Sequence, residues 1–108
     1  MTLNEFQKEC IKIQPKYLTR GDEALLGLIG LNHSAGEAIS EYKKALYESH
    51  ELDEKALLDA LSMSVVYIAV IAHARDVEMT SVMKNAVENI ERYLAEPQKK
   101  SDVGDEKD

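Results

Sequence analysis

The third predicted helix is apolar on almost every side, and this feature constrains the fold most. Between residues 63 and 72 only Ser64 and the hydroxyl group of Tyr67 are polar. A helix of this kind must be covered by other helices on nearly all sides. A chain of 108 residues supplies too little surface to do so alone, because small domains bury a limited fraction of their surface. We therefore expect an all-α bundle that forms a homo-oligomer, either a dimer or a tetramer.

Capping and terminating residues divide the chain into four helices. The first has the capping-box pattern Thr2-Leu3-Asn4-Glu5 and ends before Pro15. An acidic or hydroxyl-bearing residue precedes each of the other three, and Pro97 follows the last. The helices are predicted at about 2–14, 22–47, 54–74 and 80–95, with Asp22, Asp53 and Thr80 as the caps of the second, third and fourth.

The glycines of the second helix indicate close packing. Gly27, Gly30 and Gly36 each cost about 1 kcal/mol relative to alanine in a helix interior. Such a cost is justified where another helix backbone approaches closely, so we expect a packing seam along this stretch. The helical domain is predicted over residues 1–96. Residues 97–108, which are mostly charged or polar, are predicted to form a disordered acidic tail.

Composition and charge exclude several classes of protein. The net charge of −7 argues against direct nucleic-acid binding, which depends on clustered Lys and Arg. The N-terminus has neither the basic start nor the apolar stretch of a signal peptide, and no apolar run reaches about 18 residues. We therefore expect a cytoplasmic protein without a membrane partner. Cys10 is the only cysteine, and a buried, inert thiol is predicted for it.

The most informative segment runs through the middle of the second helix. It reads Gly30-Leu31-Asn32-His33-Ser34-Ala35-Gly36-Glu37-Ala38-Ile39-Ser40-Glu41 and is followed by Lys43 and Lys44. This segment resembles the signature of the MazG-like proteins, a helix that reads Gly-Leu-x-x-Glu-Ala-Gly-Glu followed by further Glu and Lys. Three further matches extend the resemblance over about residues 3–94: Asn4-Glu5-Phe6-Gln7, Val65-Val66-Tyr67-Ile68-Ala69 and Asn89-Ile90-Glu91-Arg92-Tyr93.

The resemblance implies a fold and a chemistry. MazG-like proteins are metal-dependent hydrolases that split nucleoside triphosphates into monophosphate and pyrophosphate. They use Glu-x-x-Glu on one helix and Glu-x-x-Asp on the next. Residues at i and i+3 lie on one helical face, so two such pairs can hold two Mg²⁺ ions against a triphosphate. Small MazG-like chains occur in bacteria and their viruses.

Carried over position by position, the family's metal ligands are largely replaced. Glu37 matches the second carboxylate of the first pair, whereas Ser34 stands at the first position. The second pair depends on how the third helix is aligned with that of the family. Matching Tyr67 gives one register, and a shift of one residue gives the other. The second pair is Ala60 and Met63 in the Tyr67 register, or Asp59 and Ser62 in the slipped one.

The candidate ligands are therefore few. Glu37 is the chief candidate for Mg²⁺, with Glu41 or Asp59 assisting. Glu41 lies one turn after Glu37 and His33 one turn before it, so these side chains share a helical face. A solvated or hydrogen-bonded helix face is the alternative interpretation, and no residue is assigned a catalytic role. The candidates for contact with nucleotide phosphates are Lys43 and Lys44.

Three functions remain open. The favoured one is a catalytically degenerate MazG-like protein, bacterial or viral, that acts as a protein-binding regulator. This function explains why Ser34, Ala60 and Met63 stand at positions where hydrolysis needs carboxylates, whereas the helix caps, glycines and apolar faces are retained. The acidic surface favours a basic protein partner. The alternative is a Mg²⁺-dependent nucleoside triphosphate pyrophosphohydrolase, and the third is a nucleotide-binding module without turnover.

Overall fold

The structure is a computed structural model that describes residues 1–48 and 51–97. Every regular element in these two stretches is helical, which confirms the predicted all-α class. The predicted tail lies, apart from Pro97, outside the described residues. A 3₁₀ turn, Ile11–Ile13, follows the first helix, which is therefore shorter than predicted. The α-helices of the described stretches are α1 (Leu3–Cys10), α2 (Arg20–Tyr47), α3 (Glu54–Ala74) and α4 (Met79–Ala95).

Two of the four predicted caps are confirmed and two are displaced. Thr2 and Glu5 form the capping box of α1, in which the Thr2 hydroxyl accepts from the Glu5 N–H at 3.1 Å. Asp53 caps α3 by accepting from the Ala56 N–H at 3.0 Å. The prediction that Asp22 caps α2 is wrong. Thr19 holds that position, and Asp22 lies in the first turn, where its negative charge suits the positive end of the helix dipole.

The N-terminus of α4 is capped by α1 and not by its own residues. Thr80 was predicted as the cap, but the cap position is Glu78, whose side chain makes no capping hydrogen bond. Instead, Gln7 Oε1 accepts from the Met79 N–H at 3.0 Å, and Asn4 Oδ1 accepts from the Thr80 N–H at 3.3 Å. The local prediction is wrong because side chains distant in sequence meet the unpaired donors of this helix start.

The glycine seam joins α2 to α3 in an antiparallel pair. A Cβ atom on Gly27 would lie 2.7 Å from the Ile71 side chain, and one on Gly30 would lie 2.5 Å from the Tyr67 ring. Close approach of the two helices therefore requires glycine at both positions, which confirms the predicted seam there. Gly36 differs, because nothing lies within 4 Å of its added Cβ. The seam ends before Gly36.

The buried core lies at one end of the α2–α3 pair, where α1 and the start of α4 close it. Cys10, Ala69, Val70 and Met79 form its buried cluster. Burial removes water from the Cys10 thiol and, with a smaller effect of the neighbouring Glu9 charge, raises its pKa. The predicted burial of the Cys10 thiol is thus confirmed.

Large apolar side chains remain exposed on α2, α3 and α4. On α3, Leu58 is 59% exposed and Leu61 52% exposed. By length and composition α3 is also the one helix among the described residues that could span a bilayer, and 22% of that stretch is buried. Core helices of soluble proteins share this length and composition. Within a single chain, the other helices therefore leave apolar side chains of α3 exposed to water.

Candidate functional site

Beyond the glycine seam, α2 and α3 line an open surface cavity of about 200 Å³. It occupies the position at which the resemblance places the family's metal ligands. It lies between facing turns of the two helices. The α2 wall is formed by polar side chains and the α3 wall by mainly apolar ones. The lining residues are His33, Ser34 and Glu37 from α2, and Ala56, Asp59, Ala60, Met63 and Tyr67 from α3.

The packing of Tyr67 against Gly30 fixes the register of the two helices at this cavity. Ala60 and Met63 consequently line it together with Ser34 and Glu37, as they do in the Tyr67 register. Ser34 and Ala60 are buried, at 4% and 8% exposure. Asp59 reaches the same cavity from the next position, whereas Ser62 is not among its lining residues. Glu37 therefore shares the cavity with residues of both registers, Ala60 and Met63 of one and Asp59 of the other.

Glu37 and Asp59, the two carboxylates of the cavity, each lie beside a nitrogen-bearing side chain one turn away. Glu37 Oε2 is 3.8 Å from His33 Nε2. The Lys55 ammonium group donates to both Asp59 oxygens, at 2.6 and 2.8 Å. Both carboxylates are more than half exposed. Both carboxylates therefore lie at the solvent-facing edge of the cavity.

The residues of this cavity do not fit the family's pair of Mg²⁺ ions. In the Tyr67 register, the positions that the resemblance assigns to the four carboxylates are Ser34, Glu37, Ala60 and Met63, which provide one carboxylate, and Asp59 adds a second to the cavity. In the part of the chain that the structure describes, no group of three or more His, Cys, Asp and Glu side chains is arranged to hold a metal ion. Mg²⁺ relies on carboxylate charge in near-octahedral oxygen coordination, and Glu37 and Asp59 supply two of the four carboxylates with which the family holds its two ions.

The other predicted site residues lie outside this cavity. Glu41 forms an ion pair with Lys44 at 3.6 Å and faces a separate surface cavity. Lys43 and Lys44 line a third, on the far stretch of α2 beside Gly36. The structure therefore brings Glu37 and Asp59 together, but it does not bring Glu41 or the two lysines to them.

A polar cluster that sequence reasoning missed ties the start of α2 to the end of α3. Arg20 Nη1 lies 2.9 Å from His73 Nε2, and Arg20 Nη2 forms an ion pair with Asp76. Asp76 has a φ angle of 58°, a left-handed conformation that Asp tolerates better than most residues. The cluster fixes the closed end of the pair and leaves the cavity untouched.

Comparison with known proteins adds no assignment. A scan against protein-family models gives no match for the chain, and searches of curated proteins and of solved structures give none either. The MazG-like resemblance stays a prediction that depends on the residues quoted for it.

Proposed function

We propose that the chain is a catalytically degenerate MazG-like protein, bacterial or viral, that regulates another protein by binding it. The observation that carries the proposal is the lining of the α2–α3 cavity. Where the family would place three further carboxylates, this chain has Ser34, Ala60 and Met63. Ser34 and Ala60 are buried at the helix contact, so the change from ligands to packing residues suits a scaffold better than a hydrated metal site.

The size of the cavity supports the same proposal. Its volume of about 200 Å³ is below the roughly 300–1,000 Å³ typical of pockets that enclose a small molecule. A nucleoside triphosphate would therefore stay largely outside it. A nucleotide-binding module without turnover has less support, because Lys43 and Lys44 line a different cavity from Glu37.

The chemistry of the rim indicates the kind of partner. Met63 and Tyr67 give the cavity an apolar wall, while Glu37 places negative charge at its edge and Asp59 is paired with Lys55. The whole chain carries a net charge of −7. A basic protein that places an apolar side chain against Met63 would match both properties. Such a partner requires no nucleic acid or membrane contact by this chain, in keeping with a cytoplasmic location.

A homo-oligomer is part of the same proposal. Leu58, Leu61 and Val65 of α3 are exposed in the single chain, and contiguous exposed apolar surface of this kind marks interaction surfaces. A dimer or tetramer that shares helical faces would cover it.

One specific observation favours a second candidate, the Mg²⁺-dependent nucleoside triphosphate pyrophosphohydrolase. Glu37 and Asp59 come from different helices and share one cavity with His33. Mg²⁺ is usually bound by one or two carboxylates together with water and substrate phosphates, and this pair meets that requirement. In that case Mg²⁺ would be the cofactor and Glu37 its chief ligand.

The proposal is tested by tagged pull-down from the native cell. Wild type is compared with Met63→Arg, which fills the cavity with a cationic side chain, and with Ser62→Arg, which adds the same charge to α3 outside the cavity. We expect wild type and Ser62→Arg to retain a stoichiometric basic partner and Met63→Arg to lose it. Absence of any stoichiometric partner, or equal retention by all three baits, would contradict the proposal.

A further inference from the structure

Ser34 is buried on α2 and lines the α2–α3 cavity with an unpaired hydroxyl group. The residue is 4% exposed. Within the described stretches its hydroxyl makes no hydrogen bond, whereas the Ser64 hydroxyl on α3 donates to Ala60 O of its own helix at 2.9 Å. Buried polar groups in native proteins are rarely left without a partner, because burial without a hydrogen bond is costly. The Ser34 hydroxyl is therefore available to a group that enters the cavity.

The Glu37 carboxylate, one helical turn further along α2, is available as well. Its contact with His33 is 3.8 Å long, which is beyond hydrogen-bond distance. Asp59 differs, because the Lys55 ammonium group donates to both of its oxygens. Residues at i and i+3 share a helical face, so Ser34 and Glu37 present two oxygen acceptors on the same side of α2. An entering group that carries positive charge and donates several hydrogen bonds matches both.

The opposite wall, on α3, favours a flat cation. Tyr67 lines the cavity, and its ring is held by close packing on Gly30, where an added Cβ would lie 2.5 Å from it. Met63 lines the same wall one turn away. An aromatic ring attracts a cation, and the planar, weakly hydrated guanidinium group stacks on such rings more readily than an ammonium group does.

The volume of the cavity fits one long side chain. At roughly 30 Å³ for each water-sized group, a volume of about 200 Å³ holds about seven non-hydrogen atoms. An arginine side chain has that many. Its methylene groups suit an apolar wall, and its guanidinium group supplies N–H donors on several sides.

We propose that this cavity receives an arginine side chain of the basic partner. The guanidinium group donates to the Glu37 carboxylate and the Ser34 hydroxyl, and the methylene groups lie against Met63. Lysine suits the cavity less, because its compact ammonium group is strongly hydrated and lacks the fork of donors that pairs with a carboxylate. The inference rests on the proposed protein-binding function and adds the residue by which the partner is recognised.

The test is an NMR titration of the full chain, in which the Met63 methyl signal reports on the cavity. The probes are arginine capped at both ends by amides, lysine capped in the same way, and free arginine. Capped arginine should shift the Met63 signal and leave that of Met83, outside the cavity, unchanged. Capped lysine should bind about tenfold more weakly, as expected for one lost hydrogen bond to a charged group.

Free arginine distinguishes an amino-acid site from a protein-binding one. Its α-carboxylate adds a negative charge beside Glu37, so it should bind no more tightly than capped arginine. Tighter binding of free arginine, equal binding of capped lysine, or no shift of the Met63 signal by capped arginine would overturn the proposal.

Variants with matched controls assign the two contacts. Glu37→Gln should weaken the binding of capped arginine about tenfold, and Ser34→Ala about threefold. Glu41→Gln and Ser40→Ala make the same changes on α2 outside the cavity lining and should leave the Kd unchanged. Wild-type affinity in Glu37→Gln, or equal effects of a variant and its control, would overturn the proposed contacts.

Competition with the partner separates this inference from the proposed function. Capped arginine at about ten times its own Kd should raise the apparent Kd of the captured partner about tenfold, because both compete for one site. An unchanged Kd would overturn the arginine anchor and leave the protein-binding function standing. If capped arginine binds but the native cell yields no partner, the protein-binding function fails, and with it the assignment of the arginine to a partner.

Discussion

The two ends of the α2–α3 pair are built differently. At the closed end, Gln7 on α1 donates to Ala69 O and Val77 O and accepts from the Met79 N–H, so one buried amide joins three segments. At the open end, the polar contacts of Glu37 and Asp59 are to residues four positions away on the same helix. Contacts between residues distant in sequence therefore fix the fold at the closed end. At the open end, no hydrogen bond from another described helix holds Glu37 or Asp59 in place, as the ligands of a metal site require.

The largest effect is expected from Gln7→Leu at the closed end. This change leaves the buried Met79 N–H without its acceptor and two carbonyl groups without their donor. An unsatisfied buried polar group costs about 1–3 kcal/mol, so we expect a loss of about 3 kcal/mol in the free energy of unfolding, measured by urea denaturation. Lys8→Leu, on the exposed side of the same helix, should change it by less than about 0.5 kcal/mol. Equal effects of the two changes would contradict the role of Gln7.

Replacing a glycine of α2 by alanine should have a smaller effect, with opposite signs at Gly30 and Gly36. Gly30→Ala places a methyl group against the Tyr67 ring and should lower the free energy of unfolding by about 1–2 kcal/mol through overpacking. Gly36→Ala meets open space and should raise it by up to about 1 kcal/mol through helix propensity. The comparison is made by urea denaturation of both variants. Changes of the same sign would show that the seam does not end between these positions.

These two glycines also mark how far the sequence predicts the structure. The α2–α3 seam follows from the cost of glycine in a helix, and the α3 cap follows from Asp53, because both signals are local. The sequence does not reveal that Gly36 is open, since neighbouring contacts decide whether a glycine is required. It also does not reveal that Gln7 and Asn4 cap α4, because the hydrogen-bond partners are more than 70 residues apart. At the cavity, the pairing of Lys55 with Asp59 emerged only from the structure.

The smallest effect is expected at the open end. Glu37→Gln and Asp59→Asn remove exposed charges whose neighbours lie one helical turn away. Exposed pairs of this kind contribute about 0–1 kcal/mol, so each variant should unfold within about 0.5 kcal/mol of wild type. A stabilising ligand raises the melting temperature only if it binds the folded state. We expect MgCl₂ to shift Tm no more than NaCl of equal ionic strength, and a Mg²⁺-specific rise that Glu37→Gln abolishes would contradict this expectation.

The proposal that the chain is a scaffold that has lost its metal chemistry is tested most directly by an assay of pyrophosphate release. Wild type, Glu37→Gln and the control Glu91→Gln, which alters a carboxylate on α4 far from the cavity lining, are incubated with a panel of ordinary and modified nucleoside triphosphates and Mg²⁺ or Mn²⁺. We predict no release above the protein-free blank for any of the three. Turnover by wild type and Glu91→Gln that is lost in Glu37→Gln would contradict the account and establish the pyrophosphohydrolase in its place.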